Sequence, residues 1–105
     1  MVIPIKLENN FLEIEIIPEL GGRVNRLINK KNKFDWVWKN DQLRTSKVDK
    51  TANYDQNWQG GWEELFPNDA IEEFSWGFGL DHGETWSHSW IKYFFIFNKL
   101  EFKLF

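Results

Sequence analysis

Both histidines of the chain, His82 and His88, lie in the segment "GFGLDHGETWSHSW", residues 77–90. Two carboxylates, Asp81 and Glu84, lie beside them. The unperturbed pKa of histidine is about 6.5, within the working range of most enzymes. The segment therefore suggests three interpretations, which are acid–base catalysis, a metal site, and a Trp-rich turn packed in a core.

A metal site would use both imidazoles together with Asp81 and Glu84. If the segment is extended, the six-residue spacing separates the imidazoles by roughly 20 Å. One ion then contacts both imidazoles only if the chain folds back between His82 and His88. The spacing matches no common zinc pattern, and the chain has no Cys to ligate zinc. We therefore expect no metal and no other cofactor.

Each of the other two interpretations fits one of the two histidines. As a structural residue, His88 fits a Ser-His-Ser run at the surface, with the Trp residues of the segment in the core. As an acid–base residue, His82 follows Asp81 and precedes Gly83, which lets the backbone turn and a ligand approach closely. A neighbouring carboxylate favours the imidazolium form, which can donate to an ether or hydroxyl oxygen. The residues alone leave both interpretations open.

Alternating apolar and polar residues predict the elements that position this segment. The stretches "FLEIEII" (11–17), "RVNRLIN" (23–29) and "FDWVWK" (34–39) alternate with period two and are separated by turn-forming residues. The stretch "AIEEFSW" (70–76) predicts a further short strand. Short alternating strands without an amphipathic helical period are typical of an antiparallel, all-β domain.

A long polar stretch and a terminal hairpin complete the predicted organisation. Residues 39–61 show no regular alternation of apolar and polar residues, which predicts a long loop. A loop of this length is either functional or a solvent-exposed excursion. Residues 89–97 and 100–105 predict a β-hairpin with a two-residue turn at Asn98-Lys99. Complete domains avoid an exposed apolar edge strand. We therefore expect residues 1–105 to be a single partial domain, with self-association through the hairpin as an alternative way of covering it.

The composition limits the partners. The formal net charge of −3 comes without a basic patch, so we expect no nucleic-acid partner. No apolar run approaches the ~20 residues of a membrane span, and residues 1–10 do not resemble a signal peptide. The lack of Cys fits a reducing, cytoplasmic compartment. Aromatic residues make up 18% of the chain, and such side chains either fill a β core or stack on a sugar ring.

Three motifs in register resemble one family. "GGWEELFPN" (60–68) precedes "DHGETWSHSW" (81–90), and "IEIIPELGGRVNRLINKKNKFDWVW" (14–38) opens the chain. This order is similar to that of the aldose 1-epimerase, or galactose mutarotase-like, superfamily, in particular its bacterial sugar-epimerase-like branch. The resemblance spans nearly the whole chain. It implies a large antiparallel β-sandwich with a small-molecule carbohydrate in a cleft on one sheet.

The resemblance also implies a chemistry. In this family a general base removes the proton of the anomeric hydroxyl while a general acid protonates the ring oxygen, so that the ring opens and closes on the other face. The family's His-Gly motif carries over onto His82 as the catalytic residue. The matching motifs imply substrate-binding roles for five further residues: Trp62, Glu63, Asp81, Glu84 and Trp86.

This sequence departs from the family pattern at several points. Leu80 replaces a common Pro, and His88-Ser89 replaces a common Arg-Pro. In the family, the second catalytic His and the carboxylate base come from later strands. The resemblance therefore implies an N-terminal portion of a sandwich with half of the acid–base pair. The alternatives are a non-catalytic carbohydrate-binding module and a truncated, inactive fragment.

Overall fold

The computed structural model describes residues 2–94 and 100–104 and consists mostly of antiparallel strands. The strands are β1 (Ile5–Glu8), β2 (Leu12–Ile17), β3 (Arg23–Asn29), β4 (Phe34–Asp35), β5 (Glu72–Phe74), β6 (Gly77–Gly79), β7 (Trp90–Phe94) and β8 (Leu100–Leu104). A single α-helical turn, α1 (Tyr54–Asn57), and two 3₁₀ turns, Pro18–Leu20 and Thr85–Ser87, lie between them. The predicted all-β class is confirmed.

The strands form three separate sheets. The largest has four strands in the order β1-β2-β3-β4, while β5 pairs with β6 and β7 with β8. β1 and β6 were not predicted from the sequence, whereas β2 and β3 match their predicted segments closely. In the described part of the chain, no helix combines the length and apolar character needed to cross a membrane.

A β-bulge in β3 decides which side chains of that strand face inward. Glu15 pairs with Arg26, whereas the next residue of β2, Ile16, pairs with Val24, so Asn25 is the extra residue. The bulge reverses the inward face, since a one-residue slip turns every later side chain over. The sequence predicted strict alternation through β3, and that prediction is wrong at this point. As a result, Arg23, the first residue of β3, is buried.

The predicted strand over residues 34–39 is much shorter in the structure. β4 contains only Phe34 and Asp35. The side chain of Asp35 accepts the backbone N–H groups of Leu27 and Val37, each at 3.1 Å. Such side-chain bonds compete with a strand ladder, so the chain leaves the sheet after Asp35. Trp36 and Trp38 are then exposed rather than aligned on a sheet face.

The terminal hairpin forms with a register that differs from the predicted one. β7 and β8 are antiparallel, with Trp90 opposite Leu104 and Phe94 opposite Leu100. A two-residue turn at Asn98-Lys99 would instead have placed Leu100 opposite residue 97. The predicted turn itself lies outside the described residues.

The buried side chains are few and unusually polar. Among described residues, the buried apolar side chains are Ile17, Pro18, Leu20, Ile28 and Trp86. Buried polar side chains accompany them, namely Arg23, Asn25, Gln59, Asn68, Thr85 and Ser87. Buried polar groups need hydrogen-bond partners, so the interior fixes specific side-chain geometries in addition to excluding water. Of these, Arg23 pairs with Glu63, which in turn accepts the hydroxyl of Tyr54, the residue whose ring stacks on His82.

Candidate functional site

His82 lies in a tight turn that follows β6. Its φ is +56° and that of Gly83 is +76°, so two consecutive residues occupy the left-handed region. A Cβ on residue 83 would come within 2.4 Å of the Phe66 carbonyl oxygen, so only glycine fits there. The backbone N–H of Glu84 donates to that same carbonyl at 2.7 Å. Residues 81–84 are therefore fastened against residues 66–69.

The imidazole of His82 is held by Asp81. His82 Nδ1 lies 2.8 Å from Asp81 Oδ1, and Asp81 Oδ2 accepts the backbone N–H of Tyr54 at 2.7 Å. This N–H and the imidazole hydrogen bond hold the pKa of the Asp81 carboxyl below its usual range. Because an ionised carboxylate only accepts hydrogen bonds, Nδ1 carries the proton and donates. Nε2 is therefore the ring nitrogen that Asp81 leaves open, and it lies 3.5 Å from Asp69 Oδ1.

Tyr54 supports the imidazole from one face. Its ring stacks on that of His82, with centroids 3.8 Å apart and planes 12° from parallel. Its hydroxyl donates to Glu63 Oε2 at 2.9 Å. Burial, followed by the nearby Glu63 carboxylate, raises the pKa of Tyr54 well above its ordinary value. The phenol therefore stays neutral and acts as a donor beneath the site.

A buried ion pair anchors Tyr54. Arg23 Nη1 lies 3.6 Å from Glu63 Oε1, and the two side chains are only 3% and 5% exposed. Arg23 Nη2 also donates to Gln59 Oε1 at 3.3 Å. Burial raises the pKa of Glu63, against the pull of Tyr54 and Arg23. The bulge in β3 turns Arg23 inward, and reciprocal hydrogen bonds between Val24 and Trp62 place Glu63 beside it.

The structure brings three of the predicted binding residues together with His82. Asp81 orients the imidazole directly, and Glu63 reaches it through Tyr54. The indole N–H of Trp86 donates to the Asp81 carbonyl at 3.1 Å, and its ring meets Tyr54 edge-on. Trp86 is 3% exposed, so it packs beneath the site and presents no face to a ligand.

The other two predicted binding residues are not part of this cluster. Trp62 is exposed, and among the described residues no ring contact joins it to His82 or Tyr54. Glu84 lines a separate cleft of about 380 Å³ with Phe66, Pro67, Trp76 and Thr85. Their predicted sugar contacts stay predictions.

His88 is half-buried rather than exposed as its Ser-His-Ser setting indicated. Its Nδ1 donates to the Glu84 carbonyl at 2.6 Å. It lines a cleft of about 580 Å³ with residues 47–50, Ser87 and Ser89. His82 lines neither this cleft nor the one beside Glu84.

Four residues of the cluster were missed from the sequence: Arg23, Tyr54, Gln59 and Asp69. Tyr54 and Gln59 lie in the long polar stretch, where no period indicates which side chains turn inward. Asp69 follows the "GGWEELFPN" motif, and its position next to His82 depends on the turn that brings residues 69 and 82 together. Across residues 2–94 and 100–104, no group of His, Asp or Glu side chains is arranged to hold a metal ion.

Comparison with known proteins adds no assignment. No known family model matches the sequence, and no solved structure matches the chain.

Proposed function

We propose that this protein binds a small carbohydrate and interconverts its anomers by proton transfer through His82. The proposal includes a galactose mutarotase-like β-sandwich as the complete fold. The observation that carries it is the fixed imidazole, with Nδ1 bonded to Asp81 at 2.8 Å and one ring face stacked on Tyr54. An imidazole held in one orientation with its other nitrogen partly exposed supports proton transfer to a bound ligand.

The proposed role follows from which nitrogen is available. With Nδ1 occupied by Asp81, Nε2 of the imidazolium is the donor, and the side chain is 24% exposed. Donation to the ring oxygen of a cyclic sugar assists cleavage of the C1–O bond. The same nitrogen takes the proton back when the ring closes on the other face. A positioned proton-transfer group typically contributes about 10²–10⁴-fold to such a rate.

The other residues have supporting roles in this proposal. Asp81 orients the imidazole, and Glu63 and Trp86 hold the surrounding framework. Trp62 has an exposed indole that suits stacking on the C–H face of a sugar ring. Glu84 supplies a carboxylate beside a neighbouring cleft, where it would accept hydroxyl hydrogen bonds.

Polarimetry tests the proposal. The purified protein is added to freshly dissolved α-glucose or α-galactose, and the approach to anomeric equilibrium is followed. We expect acceleration by the wild type, a loss of about 10²–10⁴-fold in His82→Asn, and near wild-type rates in His88→Asn. If no sugar of a broad aldose panel is accelerated by the wild type, the proposed activity is wrong. Equal rates in wild type and His82→Asn would remove the role assigned to His82.

A second function is binding without catalysis. The observation that favours it is the number of large aromatic side chains left exposed, including Trp36, Trp38 and Trp62. Exposed aromatic faces stack on sugars without any proton transfer. Quenching of Trp fluorescence by a sugar, with no accelerated mutarotation, would favour this function. Trp62→Ala should then weaken binding, while His82→Asn should leave it unchanged.

A further inference from the structure

The cleft of about 580 Å³ that His88 lines is formed by two segments of the chain. Residues 47–50 form one wall, and Ser87, His88 and Ser89 form the other. Two lysines, a histidine and two serines thus line this cleft, together with one carboxylate, that of Asp49. None of the lining residues has a role in the proposed sugar chemistry. The cleft is therefore a second place in the molecule where a ligand has room.

The first wall is attached to the interior through a buried glutamine. The side chain of Gln59 accepts the backbone N–H of Ser46 at 3.1 Å and donates to the Ser46 carbonyl at 2.8 Å. Gln59 is 7% exposed, and Arg23 donates to its side-chain oxygen at 3.3 Å. These bonds hold the backbone immediately before Lys47. The wall that carries both lysines is therefore a built part of the fold.

The second wall is held by hydrogen bonds at His88. The backbone N–H of Gly21 donates to the His88 carbonyl at 2.8 Å, and His88 Nδ1 lies 2.6 Å from the Glu84 carbonyl oxygen. Because a carbonyl only accepts, Nδ1 carries the proton and donates. Nε2 therefore accepts in the neutral ring and becomes a second donor in the imidazolium. The neighbouring Ser87 is buried, so this wall also belongs to the packed interior.

The charges that line the cleft do not cancel. Among the described residues, neither the Lys47 nor the Lys50 ammonium group forms an ion pair. The Asp49 carboxylate is engaged, because it accepts the hydroxyl and the backbone N–H of Thr51. These bonds lower the pKa of Asp49 and keep it ionised. Two positive charges against one engaged negative charge favour an anion in the cleft.

The donors indicate which class of anion fits. A lysine binds phosphate as a point charge, without the paired geometry that an arginine offers to a carboxylate. A phosphate monoester carries about −1.5 to −2 charges near neutral pH and has three acceptor oxygens. Two ammonium groups and one imidazolium match that charge and that number of acceptors. The volume of the cleft lies within the roughly 300–1,000 Å³ of small-molecule sites, so the organic part of such a ligand also has room.

We propose that this cleft binds the phosphate group of a small phosphomonoester, with Lys47, Lys50 and protonated His88 as the donors. The inference goes beyond the proposed function and uses none of the residues around His82. Free inorganic phosphate has the same chemistry and is the other source of such an anion. A phosphomonoester should bind more tightly, because its organic part fills more of the cleft and contacts Val48.

His88 gives this site a pH dependence. Histidine side chains take up their second proton between about pH 8 and pH 5, and Nε2 of His88 then turns from an acceptor into a donor. The charged groups that face it are Lys47, Asp49 and Lys50, and Glu19 lies in an adjoining cleft that shares Lys47. Phosphate itself gains a proton near pH 6, whereas sulfate stays a dianion throughout this range. Sulfate is therefore the probe that isolates the contribution of His88.

Isothermal titration calorimetry at low ionic strength tests the proposal with glycerol phosphate, phenyl phosphate, inorganic phosphate and sulfate. The cleft variants are Lys47→Met/Lys50→Met and His88→Asn. The control, Lys31→Met/Lys33→Met, removes the same charge from exposed lysines outside the cleft. We expect both esters to bind more tightly than inorganic phosphate, and the cleft double variant to bind them roughly 10-fold or more weakly. The control should match wild type.

The pH series supplies a readout that a purely structural role of His88 would not change. Sulfate binding to wild type should tighten several-fold from pH 8 to pH 5, and His88→Asn should abolish this dependence. His82→Asn should leave it intact. An unchanged pH dependence in His88→Asn would remove His88 from the site.

Three results would overturn the proposal. If no probe binds the wild type, the cleft is not an anion site. If the control double variant weakens binding as much as the cleft double variant does, the lysines act only through net charge. If inorganic phosphate binds as tightly as both esters, the cleft takes the free ion and not an ester. Because the four substituted lysines are exposed, all variants are expected to fold, which circular dichroism checks.

Discussion

The two histidines lie six residues apart and have opposite kinds of surroundings. His82 has a carboxylate on each side and an aromatic ring stacked on its face. His88 donates to a backbone carbonyl, and its cleft is lined by Lys47 and Lys50 among others. The same residue type is thus fixed by carboxylates and a stacked ring at one position and by a backbone carbonyl at the other. Surroundings, and not sequence spacing, distinguish the two histidines.

The largest expected difference between the two regions concerns stability. Arg23→Met leaves the Glu63 carboxylate buried without its counter-charge, and breaking a buried pair in this way typically costs about 3–5 kcal/mol. Lys47→Met, beside His88, removes an exposed charge and should change stability by about 0.5 kcal/mol or less. Urea unfolding measures both. Arg23→Met/Glu63→Gln should recover part of the loss, since it removes the unpaired charge and leaves an acceptor for Tyr54.

If Arg23→Met changes the free energy of unfolding only slightly, the buried Arg23–Glu63 pair does not hold the His82 region as described. An equally large effect of Lys47→Met would show that the two regions do not differ in the way described.

The sequence predicted β2 and β3 because their alternation is regular, and a half-buried antiparallel strand requires that pattern. It did not predict the bulge at Asn25, which depends on pairing with β2. The aromatic alternation of residues 34–39 predicted a strand that Asp35 ends through its own hydrogen bonds. The alternation of apolar and polar residues therefore predicted β2 and β3, which pair with each other. It failed for residues 36–39, where the side chain of Asp35 takes backbone hydrogen bonds in place of a strand partner.

The candidate site was predictable only in part. His82 and Asp81 are adjacent, and their contact is local. Tyr54 joins Asp81 across 27 positions of sequence, from a polar stretch without a period. Arg23 reaches Gln59 across 36 positions. Such long-range contacts are determined by how the chain folds, and no single motif contains them.

An intermediate effect is expected from Asp81→Asn, which tests how the His82 ring is held. Losing a charge-assisted hydrogen bond costs about 1.5–3 kcal/mol, so we expect a loss of roughly 10- to 100-fold in mutarotation. Nitrogen-15 NMR should also show a lower fraction of the Nδ1–H tautomer at His82. His88 in the same sample is the internal control, because its Nδ1 bond to Glu84 is untouched. An unchanged tautomer at His82 would mean that Asp81 does not orient the ring.

The smallest expected effect is in acid sensitivity. The folded-state pKa of Asp81 is lowered by the Tyr54 N–H and by His82, so ionised Asp81 stabilises the fold above the unfolded-state pKa, near 3.9. That contribution is lost as the pH falls through the lower folded-state pKa. Asp81→Asn should therefore lose less stability than wild type between about pH 6 and pH 3 in urea unfolding.

Asp49, in the cleft of His88, is the matched comparison for acid sensitivity. Its pKa is lowered in the same direction by the Thr51 side chain, but Asp49 is exposed, so Asp49→Asn should change acid sensitivity less. If Asp49→Asn has the larger effect, the carboxylate beside His82 is not the more strongly held of the two.

The most direct test follows the NMR signals of both histidine rings while a sugar binds. The imidazole resonances of the wild type are followed by NMR as glucose or galactose is added to saturation. We predict that the Nε2 resonance of His82 shifts with the sugar concentration, while the resonances of His88 stay in place. Movement at His88 alone, or at neither histidine while Trp fluorescence reports a bound sugar, would contradict the assignment of His82 as the proton-transfer group.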